Sequence, residues 1–157
     1  MPVDTLEPLL RGHEFFQGLD PGYVTLLVGC ASNVRFREGS FLFREGEPAE
    51  RFFLIRAGKV ALEIAAPGRG PLIVQTVADG GVVGFSWLFE PHTWEFDARA
   101  VGPVRAVALD GVCLRGKCEA DARLGFDLMQ RFARIATQRL QATRLQLLDV
   151  YGNAATR

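Results

Sequence analysis

Apolar residues follow three different spacings along the chain. In residues 4–31 they recur at helical intervals, interrupted by a turn around Gly18 and residues 20–22, which predicts an N-terminal helical layer. Between residues 33 and 110, short apolar runs alternate with turn residues about every eight to twelve positions, the spacing of a β-sandwich or barrel. Helical spacing returns over residues 112–151. We therefore expect a mainly β fold that helices precede and follow.

The middle region predicts a series of short strands connected by glycine-rich turns. We expect them near residues 33–37, 41–44, 51–56, 59–65, 72–78, 96–101 and 104–109. A β-jelly-roll, or double-stranded β-helix, accommodates many short strands in one domain, so we predict that architecture.

The region from about residue 121 to 150 predicts one long helix, interrupted only by Gly125 near its start. At 1.5 Å per residue it would be roughly 40 Å long, more than a β-roll alone needs. A seam at coiled-coil spacing suits packing against a second copy. Its members are Met129, Ala133, Ala136, Leu140, Thr143, Leu147 and Val150. Leu128, Phe132 and Ile135 lie on a neighbouring face and would pack on the strands. The alternative is one broad apolar face buried within a monomer.

The composition excludes several kinds of protein but does not identify this one. The 157 residues fit one domain, and 18 basic side chains balance 18 acidic ones, so no strong positive field indicates binding to nucleic acid or a membrane. Cys30, Cys113 and Cys118 are an odd number in a chain without a signal peptide, which favours free thiols in a reducing cytoplasm. Metal-dependent catalysis needs several converging ligands, but the chain has only His13 and His92. We therefore expect neither catalytic residues nor a metal site.

Several short motifs occur in an order that is typical of one known family. Residues 44–47 (REGE), 52–55 (FFLI) and 58–60 (GKV) form a turn-strand-turn signature, with glycines where the backbone needs a positive φ. Residues 140–143 (LQAT) and 147–152 (LLDVYG) resemble the dimer helix and the hinge of the bacterial catabolite activator branch. Over nearly its whole length the chain thus resembles the cyclic nucleotide-binding domain. The resemblance implies a ligand-sensing regulatory domain, a homodimer through the long C-terminal helix, and cAMP or cGMP as ligand.

The segment after the hinge differs from the activator branch. A helix-turn-helix domain follows the hinge in those transcription factors, whereas here only residues 153–157 remain. We therefore expect a stand-alone domain that acts on an unidentified protein partner and does not bind nucleic acid by itself.

Segment 80–100 corresponds to the phosphate-binding cassette of the family. The resemblance gives the cyclic phosphate a position at the N-terminus of a short helix, where free N–H groups attract anions. Aligned on the cassette glycine, Phe85 replaces a ribose-binding Glu. Trp94 replaces the phosphate-binding Arg, and Glu95 replaces a Ser or Thr. Losing the Arg–phosphate pair alone would cost roughly 2 to 5 kcal/mol. We predict a divergent ligand pocket formed by Gly81, Val83, Gly84, Phe85, Ser86, Trp87, Trp94 and Glu95.

Two further residues are candidate ligand contacts. Arg99 is the only basic side chain that another alignment could assign to a phosphate. Thr143 matches a helix hydroxyl that contacts the purine in the activator branch; the alternative is a hydroxyl bonded to its own helix. The aromatic side chains of Trp87, Phe89 and Trp94 either fill the former pocket or line an apolar cavity for another small molecule.

Three functions agree with these observations, in descending order. The first is a stand-alone cyclic nucleotide-binding-like regulatory or sensor domain with a divergent pocket, acting through dimerisation and partner contacts. The second is a genuine cAMP- or cGMP-binding regulatory protein. The third is a sensor of haem or another small molecule, for which His92 would be the candidate haem ligand.

Overall fold

The computed structural model describes residues 3–155, and side chains over residues 6–152. Helices α1 (Val3–Gly12) and α2 (Pro21–Val28) precede the strands, and α3 (Gly111–Ala120) and α4 (Ala122–Ala155) follow them. The strands are β1 (Ala31–Phe36), β2 (Phe41–Phe43), β3 (Arg51–Ala57), β4 (Val60–Ala66), β5 (Gly70–Val77), β6 (Val82–Val83), β7 (Asp97–Ala100) and β8 (Val104–Asp110). Single 3-10 turns lie at Glu14–Phe16 and Ser86–Leu88.

The strands form two antiparallel four-stranded sheets, in the orders β1-β8-β3-β6 and β2-β7-β4-β5. This arrangement confirms the predicted jelly-roll with N-terminal helices and one long C-terminal helix. Every predicted strand overlaps an observed one. The sequence pattern does not predict β6, because its two residues are too short a run to show alternation.

Aspartate side chains define where three of the helices begin. Asp20 and Asp110 each accept a hydrogen bond at 2.8 Å from a backbone N–H in the first turn of the helix that follows. Asp121 lies between α3 and α4 and accepts from two N–H groups in the first turn of α4. The C-terminal helical region is therefore divided at Asp121, and α4 continues for 34 residues. None of the helices described here combines the length and apolar character needed to cross a membrane.

Strand β3 separates two layers of core, because successive side chains on a strand point to opposite faces. Phe52 and Leu54 belong to a cluster between one sheet and the helices, which also includes Phe132 of α4. Phe53 and Ile55 belong to a second cluster inside the β-roll. The cassette segment contributes one tryptophan to each layer.

The structure corrects the interpretation of the cysteines. Cys30 and Cys113 form a disulfide across 83 residues of sequence, with their Cα atoms 5.7 Å apart. They meet because β1 pairs with β8 up to Ala31 and Leu109, so the start of β1 lies beside the start of α3. Within the described residues only Cys118 is a free thiol; it is half-buried, and burial raises its pKa. Cysteine usage therefore does not by itself indicate a reducing compartment.

Candidate ligand-binding site

Trp94 occupies the interior of the β-roll beside the cassette glycine. Its side chain is 5% exposed and stacks on Phe43, with ring centroids 3.7 Å apart and planes inclined by 10°. Gly84 has a φ of +101° and lies against the indole, since a Cβ there would be 2.8 Å from Trp94 Cη2. Val83 is buried in the same cluster. The position that the resemblance assigns to a phosphate-binding Arg is therefore filled by an aromatic ring.

Phe85 and Trp87 belong to the other layer of the core. Phe85 is half-buried and packs edge-on against Phe132 at 5.3 Å. Trp87 is fully buried and stacks on Phe52 at 5.5 Å. The short helix expected after the cassette glycine is one 3-10 turn, Ser86–Leu88, without a side-chain cap at its start. This part of the cassette supports α4 and the first sheet, and its single turn has no helix dipole of useful length.

Phe89 and Glu95 lie on the surface. The Phe89 side chain is 67% exposed, so the expectation that it fills or lines the pocket is wrong. Glu95 is exposed, whereas the preceding Trp94 is buried. The large ring takes the interior position, and its neighbour belongs to the surface rather than to the interior of the roll.

Arg99 is held in an ion pair between neighbouring strands. Its Nε and Nη2 donate to Oε1 and Oε2 of Glu63 at 2.9 and 3.1 Å. Glu63 lies on β4, which pairs with β7, and is only 4% exposed. Hydrogen bonds from Arg99 to the carboxylate, and the charge of Glu63, raise the pKa of Arg99. A phosphate would have to compete with a buried carboxylate for this guanidinium.

Thr143 and the seam of α4 face solvent in the single chain. Thr143 Oγ1 donates to the carbonyl of Arg139 at 2.9 Å, which is the self-bonded alternative considered for this residue. Leu140 and Leu147 are 53% and 51% exposed. The other seam members are exposed as well, namely Met129, Ala133, Ala136 and Val150. The alternative in which one monomer buries a single broad apolar face therefore does not hold.

A cleft of about 440 Å³ opens between α4 and the turn that joins β5 to β6. Of the predicted site residues only Gly81 lines it; a Cβ there would lie 2.3 Å from Val77 Cγ1. Arg139 reaches from α4 to this turn, donates to the Val82 carbonyl, and lies over the Phe85 ring, 5.0 Å from its centroid. The polar side chains that complete the lining are those of Glu14, Gln75, Thr76, Asp79 and Gln138.

Sequence reasoning missed Arg139, although the helical pattern carried a signal for it. Leu128, Phe132 and Ile135 mark the face of α4 that packs on the first core layer. Arg139 continues that face at the next helical interval. An arginine at a packing position indicates a polar contact or cleft. The remaining lining residues come from segments far apart in the sequence, so no local pattern joins them.

The two histidines have different surroundings. His13 is buried; its Nε2–H donates to the Ile55 carbonyl at 3.1 Å, and its Nδ1 accepts from the Phe15 N–H at 3.2 Å. Burial lowers the pKa of His13. His92 is half-buried in the loop before β7, with a φ of +56°. Over residues 6–152, no group of three or more His, Cys, Asp or Glu side chains could hold a metal ion.

Known proteins match this chain over most of its length. The family model for the cyclic nucleotide-binding domain matches residues 33–121, more than half of the chain. A CRP-like cAMP-activated global transcriptional regulator from Mycobacterium tuberculosis is 28% identical over 145 residues, which cover 92% of this chain and 63% of that protein. The chain thus spans somewhat less than two thirds of that regulator. A cGMP-dependent protein kinase from Toxoplasma gondii is 35% identical over 54 residues, 34% of this chain and 5% of the kinase.

Solved structures share the architecture. A candidate cyclic nucleotide-binding protein from Geobacter metallireducens has a TM-score of 0.75 and 28% identity, over 89% of this chain and 98% of that one. The sensor domain of the transcriptional regulator DNR from Pseudomonas aeruginosa has a TM-score of 0.70 and 20% identity, over 88% and 93% of the two chains. At that identity the likeness concerns the fold alone. The family match, together with the observed jelly-roll and long helix, shows that this chain belongs to the cyclic nucleotide-binding domain family.

Proposed function

We propose that this protein is a dimeric cyclic nucleotide-binding-like regulatory domain whose cassette is closed by its own aromatic core. The observation that carries the proposal is Trp94, which is buried against Phe43 and Gly84 at the position where the resemblance puts the phosphate-binding Arg. In this proposal the domain acts through dimerisation and an unidentified protein partner, without catalysis and without binding nucleic acid by itself. A cytoplasmic location is part of the proposal, in keeping with the kinship to transcriptional regulators.

Two physical arguments oppose a cyclic phosphate inside this roll. The indole would have to leave a packed interior, and a phosphate would need a paired cation to offset its loss of solvation. The basic residue of the segment, Arg99, is already paired with the buried Glu63. Losing only about 3 kcal/mol of binding free energy weakens a complex about 150-fold. A cyclic nucleotide would therefore bind weakly in the cassette.

In this proposal, a change in the packing of the cassette side chains is transmitted to a partner through the long helix α4. Phe85 and Trp87 both contact Phe132 of α4, at 5.3 and 5.7 Å between ring centroids. Further along the same helix, Leu140 and Leu147 present the exposed seam. A ligand or partner that repacks the cassette aromatics would change the orientation of α4 and thus of the seam.

Calorimetric titration with cAMP and with cGMP tests the closed cassette. We expect no binding tighter than about 1 mM, because neither the interior nor Arg99 offers a free cation. Micromolar binding that Arg99→Ala abolishes and Arg105→Ala leaves intact would overturn the proposal. Arg105 is the matched control, because it is an exposed arginine on β8, which belongs to the other sheet.

A second variant separates loss of folding from loss of binding. Arg99→Ala leaves the buried Glu63 unpaired, so its fold is checked by circular dichroism. The double variant Glu63→Gln with Arg99→Gln replaces the ion pair by a neutral hydrogen-bonding pair. If this folded variant also loses micromolar binding, Arg99 holds the nucleotide and the cassette is open.

The comparisons favour genuine cyclic nucleotide binding as the second candidate function, since a relative at 28% identity is described as cAMP-activated. The same titrations decide between the two. A haem sensor is the remaining candidate. An absorbance spectrum of the purified protein with a Soret band that disappears in His92→Ala would support that function against the proposal.

A further inference from the structure

The end of the β1–β8 strand pair carries a group of exposed arginines. Arg35 and Arg105 lie directly opposite each other in the antiparallel register, and both side chains are exposed. Arg37 follows the last residue of β1 and is exposed as well. These three residues together form the arginine cluster. Among the side chains described over residues 6–152, none of the three takes part in an ion pair or a side-chain hydrogen bond.

The alternation of side chains along β8 explains why Arg105 reaches solvent. Val107 belongs to the core layer between the first sheet and the helices. Side chains two residues apart on a strand share a face, so Arg105 points to the same side of the sheet as Val107. It is nevertheless exposed, because the helical layer does not extend over this end of the sheet. The outer face thus changes from apolar beneath the helices to basic at its uncovered end.

The arrangement of the arginines does not stabilise the fold. Like charges directly opposite each other on antiparallel strands are destabilising. On its other side Arg105 is paired with Ala57 of β3, which brings no negative charge. Glu38 lies in the same cleft as the arginine cluster, so three positive charges there face one negative charge. An anionic group between the arginines would offset their repulsion.

A cleft of about 510 Å³ opens beside the arginine cluster, within the usual size range of binding pockets. The uncharged part of its lining consists of Phe36, Pro103 and Val104. Phe36 is half-buried and packs edge-on against Phe53, with ring centroids 5.8 Å apart. Val104 is only 1% exposed. The cleft therefore combines a well-packed apolar part with a basic rim.

We propose that this cleft binds an acidic segment of a partner protein, whose carboxylates pair with the arginine cluster while an apolar side chain of the segment contacts Phe36 and Pro103. Guanidinium groups bind carboxylates through paired hydrogen bonds, and arginine clusters are a recurrent means of recognising acidic motifs. Nucleic acid fits this surface less well, because three arginines beside Glu38 do not form a continuous basic track along a phosphate backbone.

The inference deepens the proposed function by giving the unidentified partner a chemistry, and it rests on that function only in requiring a protein partner. The cleft shares no lining residue with the cassette segment 80–100 or with the cleft beside Arg139. Binding there therefore depends neither on the cassette nor on the seam of α4.

The test is a set of NMR titrations of the full chain at low ionic strength, where exposed charges are least screened. The first probe is a short peptide of glutamates around one phenylalanine, and the second has glutamines in place of the glutamates. We expect the amides of residues 35–37 and 104–105 to shift along one binding curve with the acidic peptide, with a dissociation constant of about 1 mM or lower. The glutamine peptide should bind at least about tenfold more weakly, because it lacks the ion pairs.

Two double variants with the same change in charge locate the site. Arg35→Gln with Arg105→Gln should weaken binding of the acidic peptide about tenfold. Arg134→Gln with Arg144→Gln should bind like the wild type, because both of these arginines are exposed on α4 and neither lines the cleft.

Urea denaturation separates a binding role of the arginines from a structural one. At low salt we expect the midpoint of Arg35→Gln with Arg105→Gln to lie above that of the wild type, because the cross-strand repulsion is removed. The difference should vanish at high salt, which screens the repulsion. A midpoint below that of the wild type would assign the two arginines to the stability of the fold and overturn the proposal.

Three further results would overturn the proposal. The first is the absence of shifts at these amides with about 10 mM acidic peptide, tenfold above the expected constant. The second is equal binding of the two peptides, or of the acidic peptide to wild type and to Arg35→Gln with Arg105→Gln. The third is tighter binding of a single-stranded oligonucleotide of matched net charge at the same amides, which would make the cleft a nucleic-acid site. Light scattering and the cAMP titration test the dimer and the closed cassette separately, so either proposal can fail while the other stands.

Discussion

At the scale of single residues, the placement of Trp94 controls what the β-roll can hold. Its backbone is held on both sides, since its N–H donates to the Glu47 carbonyl at 3.0 Å and its carbonyl accepts from the Gly46 N–H at 2.9 Å. The ring is thereby directed against Phe43 and Gly84. A side chain anchored in this way fills the interior as part of the core.

Trp94→Ala should lower the free energy of unfolding by about 3–5 kcal/mol, because it leaves a cavity in a packed cluster. Urea denaturation monitored by circular dichroism measures this loss. Phe89→Ala is the matched control, since this aromatic side chain of the same segment is 67% exposed, and we expect a change within about 0.5 kcal/mol. Equal effects of the two substitutions would show that the indole does not fill the roll.

His13 should make stability depend on pH in the weakly acidic range. Burial lowers its pKa in the folded state below the ordinary value of 6.5, so the unfolded chain binds the proton more readily. Its contribution is present above about pH 6.5 and is lost as the pH falls toward the lowered folded pKa. We expect the free energy of unfolding to fall between about pH 7 and pH 5. This slope should flatten in His13→Gln and persist in His92→Gln; an unchanged slope in His13→Gln would assign the pH dependence to other groups.

At the scale of elements, the disulfide joins the N-terminal helical layer to the C-terminal helices. Cys30 lies directly before β1, and Cys113 lies in the first turn of α3. The Asp110 N–H also donates to the Cys30 carbonyl at 2.9 Å. Covalent and hydrogen-bonded contacts thus hold α3, and with it the start of α4, against the sheet.

Replacing both Cys30 and Cys113 by Ser should lower the free energy of unfolding by about 2–4 kcal/mol, because the bond closes a long loop in the unfolded chain. Urea denaturation without reductant measures the difference, and Cys118→Ser is the control, with its half-buried free thiol. Thiol titration of the denatured wild type should find one reactive group. Three reactive thiols in protein purified without reductant would contradict the disulfide.

At the scale of the whole molecule, the exposed seam of α4 favours a dimer. Size-exclusion chromatography with light scattering should give twice the mass of the chain. The double variant Leu140→Glu with Leu147→Glu should be a monomer, because it puts charges into the apolar seam. Both side chains are about half exposed in the single chain, so the variant keeps its fold. Gln141→Glu adds charge outside the seam and should remain a dimer; a monomeric wild type at high concentration would contradict the interface.

Much of the architecture was predictable from the sequence, because local periodicity reports it. Alternating short apolar runs predicted the strands. One helical pattern, interrupted only by Gly125, predicted α4 with its packing face at Leu128, Phe132 and Ile135. The identity of residue 94 likewise predicted an aromatic ring where the resemblance places a cation. Each of these features depends on residues that are close together in the sequence, because the repeat of a helix or strand sets the spacing of its buried positions.

Tertiary structure decided the features that depend on residues far apart in the chain. It placed Trp94 inside the roll and Phe89 outside, joined Cys30 to Cys113, and paired Arg99 with Glu63. It also brought α4 against the β5–β6 turn, where a cleft forms beside Arg139. The sequence determined which side chains are available, but competition for the same interior space selects which are buried, paired or left facing a cleft. Which side chains fill that space is determined only when the sheets and α4 pack together.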